Sequence, residues 1–266
     1  MSVALVTGAS AGIGAAFARA LAARGDDVVL VARSKPRLDD LATALRRDHG
    51  VEVEVLAADL TNTADLATVE ARVAEAERPV DLLVNNAGFG TVGSFDALPV
   101  EREDEEIRLN VLALVRLTHA ALGAMTARGH GAILNVSSVA GYQPSPRMAT
   151  YGATKAFVSS FTQAVHEEAK SRGVHVMVLC PGFTRTDFQE RAGVDQSDVP
   201  AFAWMSAEAV VDDALRALDA RRAVCVPGAL NRVTALLSDM APAGVTRRVA
   251  GLVLRRGASH SEGSSR

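Results

Sequence analysis

Short apolar runs alternate along this chain with longer segments of helical periodicity, and this alternation restricts the fold more than any other feature. Seven runs rich in valine, leucine and isoleucine have the length of strands. Seven strands with helices between them predict an α/β fold with a doubly wound, seven-stranded parallel sheet. The predicted strands are residues 3–7, 28–32, 51–57, 81–84, 132–136, 174–179 and 223–226.

The third predicted strand differs from the others in its pattern. Residues 51–55 alternate valine with glutamate, whereas residues 28–31 are apolar throughout. A strand that is buried on both faces has a continuous apolar run, so an alternating strand has a face or an edge in water. We therefore place the third strand at the edge of the sheet.

The domain organisation is simple. The chain contains no proline- or serine-rich linker and no repeat beyond the alternation of strands and helices. We expect a single domain over residues 1–256, with a helical extension that begins at about residue 228. The last ten residues, 257–266, are small and polar, so we expect a disordered tail there.

Composition excludes several classes of function. The 266 residues are 48% hydrophobic with a net charge of −3, which predicts a sizeable core and no strong field for nucleic acid. Cys180 and Cys225, the two cysteines, each lie in an apolar run and are predicted to be buried thiols rather than a disulfide or metal ligands. The chain has no basic leader and no apolar stretch as long as a membrane span, so we expect a cytoplasmic protein.

An acidic run follows Pro99, where a helix is predicted to begin. Negative side chains stabilise the positive end of a helix dipole, so we interpret the run as a solvated helix start rather than a metal site. The acidic residues are Glu101, Glu103, Asp104, Glu105 and Glu106.

A glycine-rich segment directly follows the first predicted strand and leads into an alanine-rich helix. Gly8, Gly12 and Gly14 lie in this segment, which runs from Thr7 to Gly14. Glycines between a strand and a helix let the backbone approach a pyrophosphate, whose charge then lies over the free N–H groups of the helix. The segment therefore predicts a dinucleotide site.

Tyr151 and Lys155 are four residues apart, so on a helix they project from one face. A phenol has an unperturbed pKa of about 10, and a fixed cation beside it favours the phenolate. We expect Lys155 to lower the pKa of Tyr151 into the working range of an acid or base catalyst. Alone, such a pair is more often an aromatic packed on a helix beside a solvated lysine.

Further motifs occur in a fixed order with this pair, and together they resemble the short, single-domain branch of the short-chain dehydrogenase/reductase family. The resemblance covers residues 3 to about 186 and implies a Rossmann-like NADP-dependent oxidoreductase that acts on alcohol or carbonyl groups. The motif residues besides the glycines are Asp59, Leu60, Asn85, Asn86, Ala87, Gly88, Asn110, Asn135, Val136, Ser137, Ser138, Tyr151, Lys155, Pro181 and Gly182.

The resemblance implies a catalytic tetrad. Ser138 would orient the substrate carbonyl, and Tyr151 would donate a proton to its oxygen as hydride arrives. Lys155 would bind the nicotinamide ribose, and Asn110 would hold a water that links Lys155 to solvent. Ser138 is preferred to Ser137 because the family places its serine thirteen positions ahead of the tyrosine; Ser137 would be a packing neighbour.

The resemblance also implies how the cofactor is bound. Asp59 and Leu60 would hold the adenine; the alternative for Asp59 is a helix cap. The backbone at 86–88 would line the cofactor groove. The other residues expected to bind the cofactor are Ile13, Pro181, Gly182, Thr184 and Thr186.

The end of the second strand predicts which nicotinamide cofactor is used. Ala32 occupies the position where NAD users of this family carry an aspartate, and Arg33 follows it. An arginine pairs with the ribose 2′-phosphate of NADP, whereas an acid accepts hydrogen bonds from a free 2′-hydroxyl. We predict NADP(H), with Ser10 and Arg37 assisting Arg33.

The substrate is expected to be an apolar ketone. Aromatic residues are concentrated in the segments after strands four, five and six, where α/β sheets bind ligands, although each of them could simply pack a loop. They are Phe89, Phe95, Tyr142, Phe183, Phe188, Phe202 and Trp204. A long-chain 3-oxoacyl group is favoured, which would place the enzyme in lipid metabolism.

Several alternatives stay open. Tyr151 can act as an acid in reduction or as a base in oxidation of a secondary alcohol or steroid, and a non-catalytic NADP-sensing protein would share the fold. A basic segment at 246–256, with Arg247, Arg248, Arg255 and Arg256, is a helix packed on the domain, a lid or a membrane contact. The family commonly pairs through the helices that hold Asn110 and Tyr151, which implies a homodimer or homotetramer.

Overall fold

A computed structural model of the chain describes residues 2–186, 188 and 200–240. Its main element is a parallel seven-stranded sheet with the strand order β3-β2-β1-β4-β5-β6-β9. The strands of this sheet are β1 (Val3–Thr7), β2 (Asp27–Ala32), β3 (Val53–Ala57), β4 (Leu82–Asn85), β5 (Gly131–Val136), β6 (Val174–Leu179) and β9 (Val224–Cys225). A separate pair of two-residue strands, β7 (Thr184–Arg185) and β8 (Met205–Ser206), lies beyond its carboxyl edge.

Helices cover both faces of the sheet, so the fold is the predicted single, doubly wound, Rossmann-like domain. The helices are α1 (Gly12–Ala23), α2 (Lys35–His49), α3 (Thr63–Val73), α4 (Val100–Ile107), α5 (Leu114–Arg128), α6 (Ala149–Lys170), α7 (Ala207–Asp219) and α8 (Ala229–Met240). A π-helical segment, Arg108–Ala113, joins α4 to α5 without a break.

The strand order places β1 beside β4 in the middle of the sheet. From β1 the chain winds outward to β2 and β3, and it then returns to the centre and winds the other way. In such sheets the carboxyl ends of the two central strands diverge and leave a crevice. Strand β3 pairs only with β2 and is therefore an edge strand, as its alternating pattern predicts.

Two apolar layers, one on each face of the sheet, hold the helices in place. On one face α1, α2 and α7 pack around the fully buried ring of Phe17. On the other face Leu117 and Met125 of α5 pack with residues of α3 and α6. Both cysteines are buried and free, as expected for core thiols.

The expectation that no apolar stretch reaches the length of a membrane span is wrong. The continuous helix Val100–Arg128 is long and apolar enough to cross a bilayer by length and composition. It passes the test because one of its faces, including Ala113, Leu117 and Ala121, is a core face that packs against the sheet. A core helix that packs on one face can satisfy the same criteria of length and composition as a membrane span.

The interpretation of the acidic run as a solvated helix start is also wrong in part. Glu101 and Asp104 are exposed, but Glu103 and Glu106 are buried, with exposed fractions of 5% and 0%. These two side chains lie three residues apart on the face of α4 that turns towards the body of the protein. Among the described residues no cluster of histidine, cysteine and acidic side chains has the arrangement of a metal site.

The predicted basic segment at 246–256 and the predicted tail at 257–266 lie outside the described residues. The last described element is α8, whose Asn231 packs closely on the loop after β6. A Cβ atom on Gly182 would lie 2.6 Å from Cγ of Asn231. The loop after β6 is thus held against the helix that follows the last strand.

Candidate active site

The glycine-rich segment forms a tight loop at the carboxyl end of β1. Gly8 and Gly12 have φ angles of +66° and +54°, in the left-handed region that favours glycine. A Cβ atom on Gly14 would overlap the carbonyl oxygen of Gly8 and lie 2.5 Å from Nδ2 of Asn86. The loop and the start of α1 can therefore approach each other only because these positions lack side chains.

The start of α1 has the properties of an anion site. Its N-cap residue, Ala11, has no side chain that can accept a hydrogen bond from the first backbone N–H groups. Unpaired N–H groups at a helix start carry partial positive charge and bind phosphates. Ile13, the second residue of the helix, is half-buried and packs against the core, which fixes the direction of α1.

Thr7 opens the glycine-rich segment, where the sequence gives it no role of its own, and in the structure it ties the two central strands together. Its buried hydroxyl oxygen accepts hydrogen bonds from the backbone N–H groups of Asn86 (2.9 Å) and Ala87 (3.0 Å). The Asn86 side chain donates in return to the Thr7 carbonyl at 2.9 Å. The segment 86–88 thus lies directly against the glycine-rich loop. The position of Thr7, immediately before Gly8, is the signal that sequence reasoning missed.

Three of the four predicted catalytic residues meet above the carboxyl end of β5. Ser138 is the second residue after β5, and its hydroxyl oxygen accepts a hydrogen bond from Ala140 N at 3.1 Å. Tyr151 and Lys155 project from the first turns of α6, as their spacing predicts, and both are buried. The Ser138 hydroxyl lies close enough to the Tyr151 hydroxyl to favour the phenolate form. The ammonium nitrogen of Lys155 lies 5.6 Å from the centre of the Tyr151 ring.

The expected effect of Lys155 on Tyr151 does not occur in this structure. Burial raises the pKa of Tyr151 to about 12, and the hydrogen bond with Ser138 opposes that shift. Burial also lowers the pKa of Lys155 to about 8, because an ammonium loses its hydration there. The Lys155 ammonium donates to the carbonyl of Val136 at 2.9 Å rather than to the phenol. In the protein alone, desolvation outweighs the attraction between the two groups.

Ser137 is a packing neighbour, as the preference for Ser138 implies. Its hydroxyl donates to the backbone carbonyl of Lys155 at 2.7 Å and lies 2.8 Å from the hydroxyl of Ser159. It therefore joins the end of β5 to α6 at the residue that carries the ammonium.

Asn110 lies in the π-helical segment and is buried. Its side-chain oxygen accepts from Phe89 N at 3.1 Å, and its amide donates to Phe89 O at 2.8 Å and to Thr154 at 3.2 Å. A Cβ atom on Gly88 would be 2.8 Å from the Asn110 oxygen and 3.6 Å from Nζ of Lys155. Asn110 and Lys155 thus meet over Gly88. The proposed water at Asn110 stays a prediction.

The residues predicted to contact the adenine follow β3, and those predicted to contact the nicotinamide follow β6. Asp59 and Leu60 follow β3, and the Asp59 carboxylate accepts from the backbone and hydroxyl of Thr61 at 3.0 and 2.7 Å. The Asp59 carboxylate therefore stabilises the turn in which it lies, independently of any ligand. Thr184 donates to the carbonyl of Gly182 at 3.0 Å, and the side chain of Thr186 lies against Gly12.

A basic pocket of about 420 Å³ lies beside the glycine-rich loop. It is lined by Ser10 and Arg37, two of the residues predicted to favour NADP, together with Arg19 and Arg185, which sequence reasoning missed. Arg33 is exposed immediately after β2 and does not line this pocket. Arg19 lies one turn beyond Ala15 on α1, and that helical spacing from the loop is the signal that could have found it.

The aromatic residues divide into two groups. Phe188 lies against Tyr151, with ring centres 5.6 Å apart, and Phe183 packs on Trp204 at 5.5 Å. Phe89 packs beneath the guanidinium of Arg102. The others do not converge on Tyr151: the Tyr142 hydroxyl lies 3.7 Å from the sulfur of Cys180, whereas Phe95 and Phe202 are exposed.

The comparisons with known proteins agree with this geometry. The family model for short chain dehydrogenases matches residues 2–197, so the chain belongs to that family and is an oxidoreductase. It is 36% identical to the very-long-chain 3-oxoacyl-CoA reductase of Anas platyrhynchos over 187 residues, or 69% of this chain. The chain spans 60% of that relative's length. An uncharacterized oxidoreductase of Staphylococcus epidermidis is 32% identical over 74% of this chain and 86% of its own.

Solved structures give the same family. A short-chain dehydrogenase from Sphingobium yanoikuyae in complex with NADPH has 42% identity and a TM-score of 0.83, and the match covers 91% of this chain and 97% of that one. The bulky-bulky ketone specific alcohol dehydrogenase of Comamonas testosteroni has 35% identity and a TM-score of 0.78, covering 98% and 94%. The NADPH bound in the first of these structures agrees with a nicotinamide dinucleotide as the cofactor.

The residues present fit this cofactor. The loop at Gly8, Gly12 and Gly14 leaves space that a Cβ atom would fill, and the uncapped start of α1 offers N–H groups to a pyrophosphate. When bound, the nicotinamide supplies or accepts a hydride.

Replacing Gly14 with alanine is expected to weaken cofactor binding. The new methyl group would overlap the Gly8 carbonyl, so the loop must shift, and the dissociation constant for NADPH should rise at least about tenfold, or about 1.4 kcal/mol. Fluorescence titration of NADPH measures this change. The control is Gly123→Ala in α5, where no atom lies within 4 Å of the new methyl group. Equal affinities of the wild type and Gly14→Ala would contradict the proposed fit.

Proposed function

We propose that this protein is an NADPH-dependent reductase of a bulky, apolar ketone, with long-chain 3-oxoacyl thioesters as the favoured class. The single observation that carries the proposal is the approach of Ser138 to Tyr151, whose ring centre lies 5.6 Å from the ammonium nitrogen of the buried Lys155. This pair presents two hydroxyls to one point, which is what a carbonyl oxygen requires when it becomes an alcohol.

In this mechanism the chain's residues hold the substrate and move one proton. Ser138 donates a hydrogen bond to the carbonyl oxygen and fixes its position. Tyr151 donates its proton to the same oxygen as negative charge develops there. Lys155 supplies positive charge close to the phenol, and the loss of water around the site strengthens that interaction. Asn110 fixes the loop at Phe89 and holds a water near Lys155.

The preference for NADPH is supported by charge. Ala32 leaves no carboxylate at the end of β2, where a free ribose 2′-hydroxyl would need an acceptor. Arg33 follows directly, and Ser10 and Arg37 line one pocket beside the glycine-rich loop. Charged donors in this place suit a 2′-phosphate.

The apolar substrate is supported by Phe188, which covers Tyr151, and by the pair of Phe183 and Trp204. The family relatives agree in part, since one of them is named for 3-oxoacyl-CoA reduction and another for ketones with two bulky substituents. An apolar wall beside the proton donor binds the hydrocarbon arms of such a ketone and leaves its oxygen with the two hydroxyls.

Oxidation of a steroid alcohol is the second candidate. A 7beta-hydroxysteroid dehydrogenase has a TM-score of 0.85 to this chain at 28% identity. The same tyrosine accepts the proton in that direction. We favour reduction because Tyr151 is held in its protonated form by burial, and an acid in its protonated form is prepared to donate. A non-catalytic NADP sensor would not need all four catalytic side chains, which this chain retains.

Replacing Tyr151 with phenylalanine should abolish reduction but not cofactor binding. Loss of the proton donor is expected to lower kcat by about 10²- to 10⁴-fold. NADPH oxidation is measured against long-chain 3-oxoacyl thioesters, bulky ketones and steroids. The control, Tyr142→Phe, removes the other tyrosine hydroxyl of the chain, which lies beside Cys180, and should keep turnover within a few-fold. Full turnover by Tyr151→Phe would disprove the assignment of the acid.

The cofactor preference predicts a selective effect of two arginines. Arg33→Ala and Arg37→Ala should each lower kcat/KM for NADPH by about 10- to 100-fold, because a charged hydrogen bond contributes about 1.5–3 kcal/mol. The values for NADH should change little. Arg24→Ala, at an exposed arginine paired with Asp219, is the control for loss of positive charge. A wild-type enzyme that uses NADH at least as efficiently as NADPH would refute the preference.

A homodimer or homotetramer is proposed from an apolar surface on the helices that hold Asn110 and Tyr151. Ile107, Leu112 and Phe157 are each more than two-fifths exposed there. Light scattering at micromolar concentration is expected to give the mass of a dimer or tetramer, and Leu112→Glu to shift it towards the monomer. Leu236→Glu, which alters an exposed leucine of α8, should leave the mass unchanged. A strictly monomeric wild type would exclude this assembly.

A further inference from the structure

Two buried carboxyl groups lie close to the start of α6, the helix that carries Tyr151 and Lys155, and have no role in the mechanism above. Glu103 and Glu106 project from α4 towards the loop after β4. The hydroxyl oxygen of Thr91 lies 2.6 Å from Oε1 of Glu103 and 2.9 Å from Oε2 of Glu106. The backbone N–H of Thr91 donates to Glu106 at 3.0 Å, and the hydroxyl of Thr150 donates to Glu103.

A count of protons shows that this cluster holds one more proton than two ionised carboxylates would. The Thr91 hydroxyl has one hydrogen and can donate it to one carboxyl only. Its second short contact is a full hydrogen bond if the other carboxyl is protonated and donates to Thr91 Oγ1. With both glutamates ionised, a single hydrogen would have to serve two buried carboxylates. The geometry therefore assigns one shared proton to Glu103 and Glu106.

The second oxygen of Glu106 points to the same conclusion. Glu106 is fully buried, and within the described part of the chain its Oε1 atom has no hydrogen-bond partner. An ionised oxygen in that position would lose its hydration without compensation. Burial accordingly raises the pKa of Glu106 to about 7, and the charge of Glu103 raises it further while the contacts with Thr91 oppose the shift.

The charge of Glu106 acts on the catalytic residues. The titratable groups that interact with it are Glu103 on its own helix and Lys155 and Tyr151 on α6. Negative charge on Glu106 favours the ammonium form of Lys155 and disfavours the phenolate form of Tyr151. Cys180, the other titratable group that interacts with Lys155, is buried and its pKa is raised, so its thiol is neutral at physiological pH.

We propose that Glu103 and Glu106, which share a proton through Thr91, control whether Lys155 carries its own proton and thereby set the pH range of carbonyl reduction. Glu106 is a positioning residue in this scheme, since it acts through Lys155 and does not touch the substrate. As pH rises through neutrality the shared proton leaves, and the new negative charge holds the proton on Lys155 to a higher pH. The effect on catalysis rests on the proposed function, but the effect on Lys155 does not.

The chain offers a direct test, because it contains three lysines: Lys35, Lys155 and Lys170. Lysine labelled with carbon-13 at the ε position is incorporated, and the signals are titrated by NMR in the protein without cofactor or substrate. Lys35 and Lys170 are exposed, so the buried Lys155 should titrate at the lowest pH of the three. Glu106→Gln should lower the midpoint of Lys155 by about one pH unit, a tenfold change in the equilibrium constant.

The matched control is Glu101→Gln, which removes an exposed carboxylate from the same helix and should leave the Lys155 midpoint unchanged. Glu106→Asp, which keeps the charge, should restore most of the wild-type midpoint. A Lys155 midpoint that is the same in Glu106→Gln and wild type would overturn the proposal. If Glu106→Gln does not fold, wild-type protein labelled at the glutamate carboxyl carbon serves instead. One carboxyl should then titrate near neutral pH, and normal acidic titration of every glutamate would overturn the proposal.

The catalytic consequence is measured as a pH profile of kcat for whichever ketone the wild type reduces. The basic limb, where Lys155 loses its proton, should move down by about one pH unit in Glu106→Gln and return in Glu106→Asp. A purely structural role would lower kcat equally at all pH values and would contradict the proposal. If no substrate in the panel is reduced, the proposed function fails while the lysine titration still decides this inference.

Discussion

The hydroxyl of Thr7 joins the two halves of the sheet at the point where the crevice opens, and the site depends on this contact. It donates to the carbonyl of Val84 at 3.3 Å and accepts from two N–H groups of the segment that follows β4. A threonine can satisfy three backbone groups here because its hydroxyl is both donor and acceptor. Without it, the ends of β1 and β4 would leave buried backbone groups unpaired, at a cost of about 1–3 kcal/mol each.

Burial of the catalytic pair follows from that arrangement. Once β4 and β5 are fixed, α6 packs on the end of β5 through Ser137, and Tyr151 and Lys155 are enclosed between them. Burial disfavours both the phenolate form of Tyr151 and the ammonium form of Lys155. It therefore raises the pKa of Tyr151 and lowers the pKa of Lys155. In the proposed reduction Tyr151 is therefore a neutral acid at the start, and the Lys155 ammonium beside it depends on neighbouring charge because both side chains are buried.

Sequence patterns predict the architecture well because they reflect periodicity and local chemistry. The seven strands, the edge position of β3 and the common face of Tyr151 and Lys155 all follow from spacing within one element. Contacts between elements that are far apart in the sequence do not follow from such spacing. The buried network in which Asn85 donates to Asn135 at 2.9 Å, and Asn135 to Thr162 at 3.0 Å, joins β4, β5 and α6 and has no signature in any one segment. The pKa of Tyr151 is raised where the sequence predicts that it is lowered, for a related reason. Spacing shows that Lys155 is a neighbour of Tyr151 but does not show how deeply the two side chains are buried.

The two glutamates of α4 show where local rules fail for a physical reason. A helix start rich in acid is normally solvated, and Glu101 follows that rule. Glu103 and Glu106 lie on the face that the neighbouring loop and α6 enclose, so the same residue type becomes a buried acid. Such a group destabilises a fold unless it shares a proton or faces a cation. Here Thr91 contacts both carboxyl groups, and the proton that we propose they share would reduce the cost of burying them next to α6.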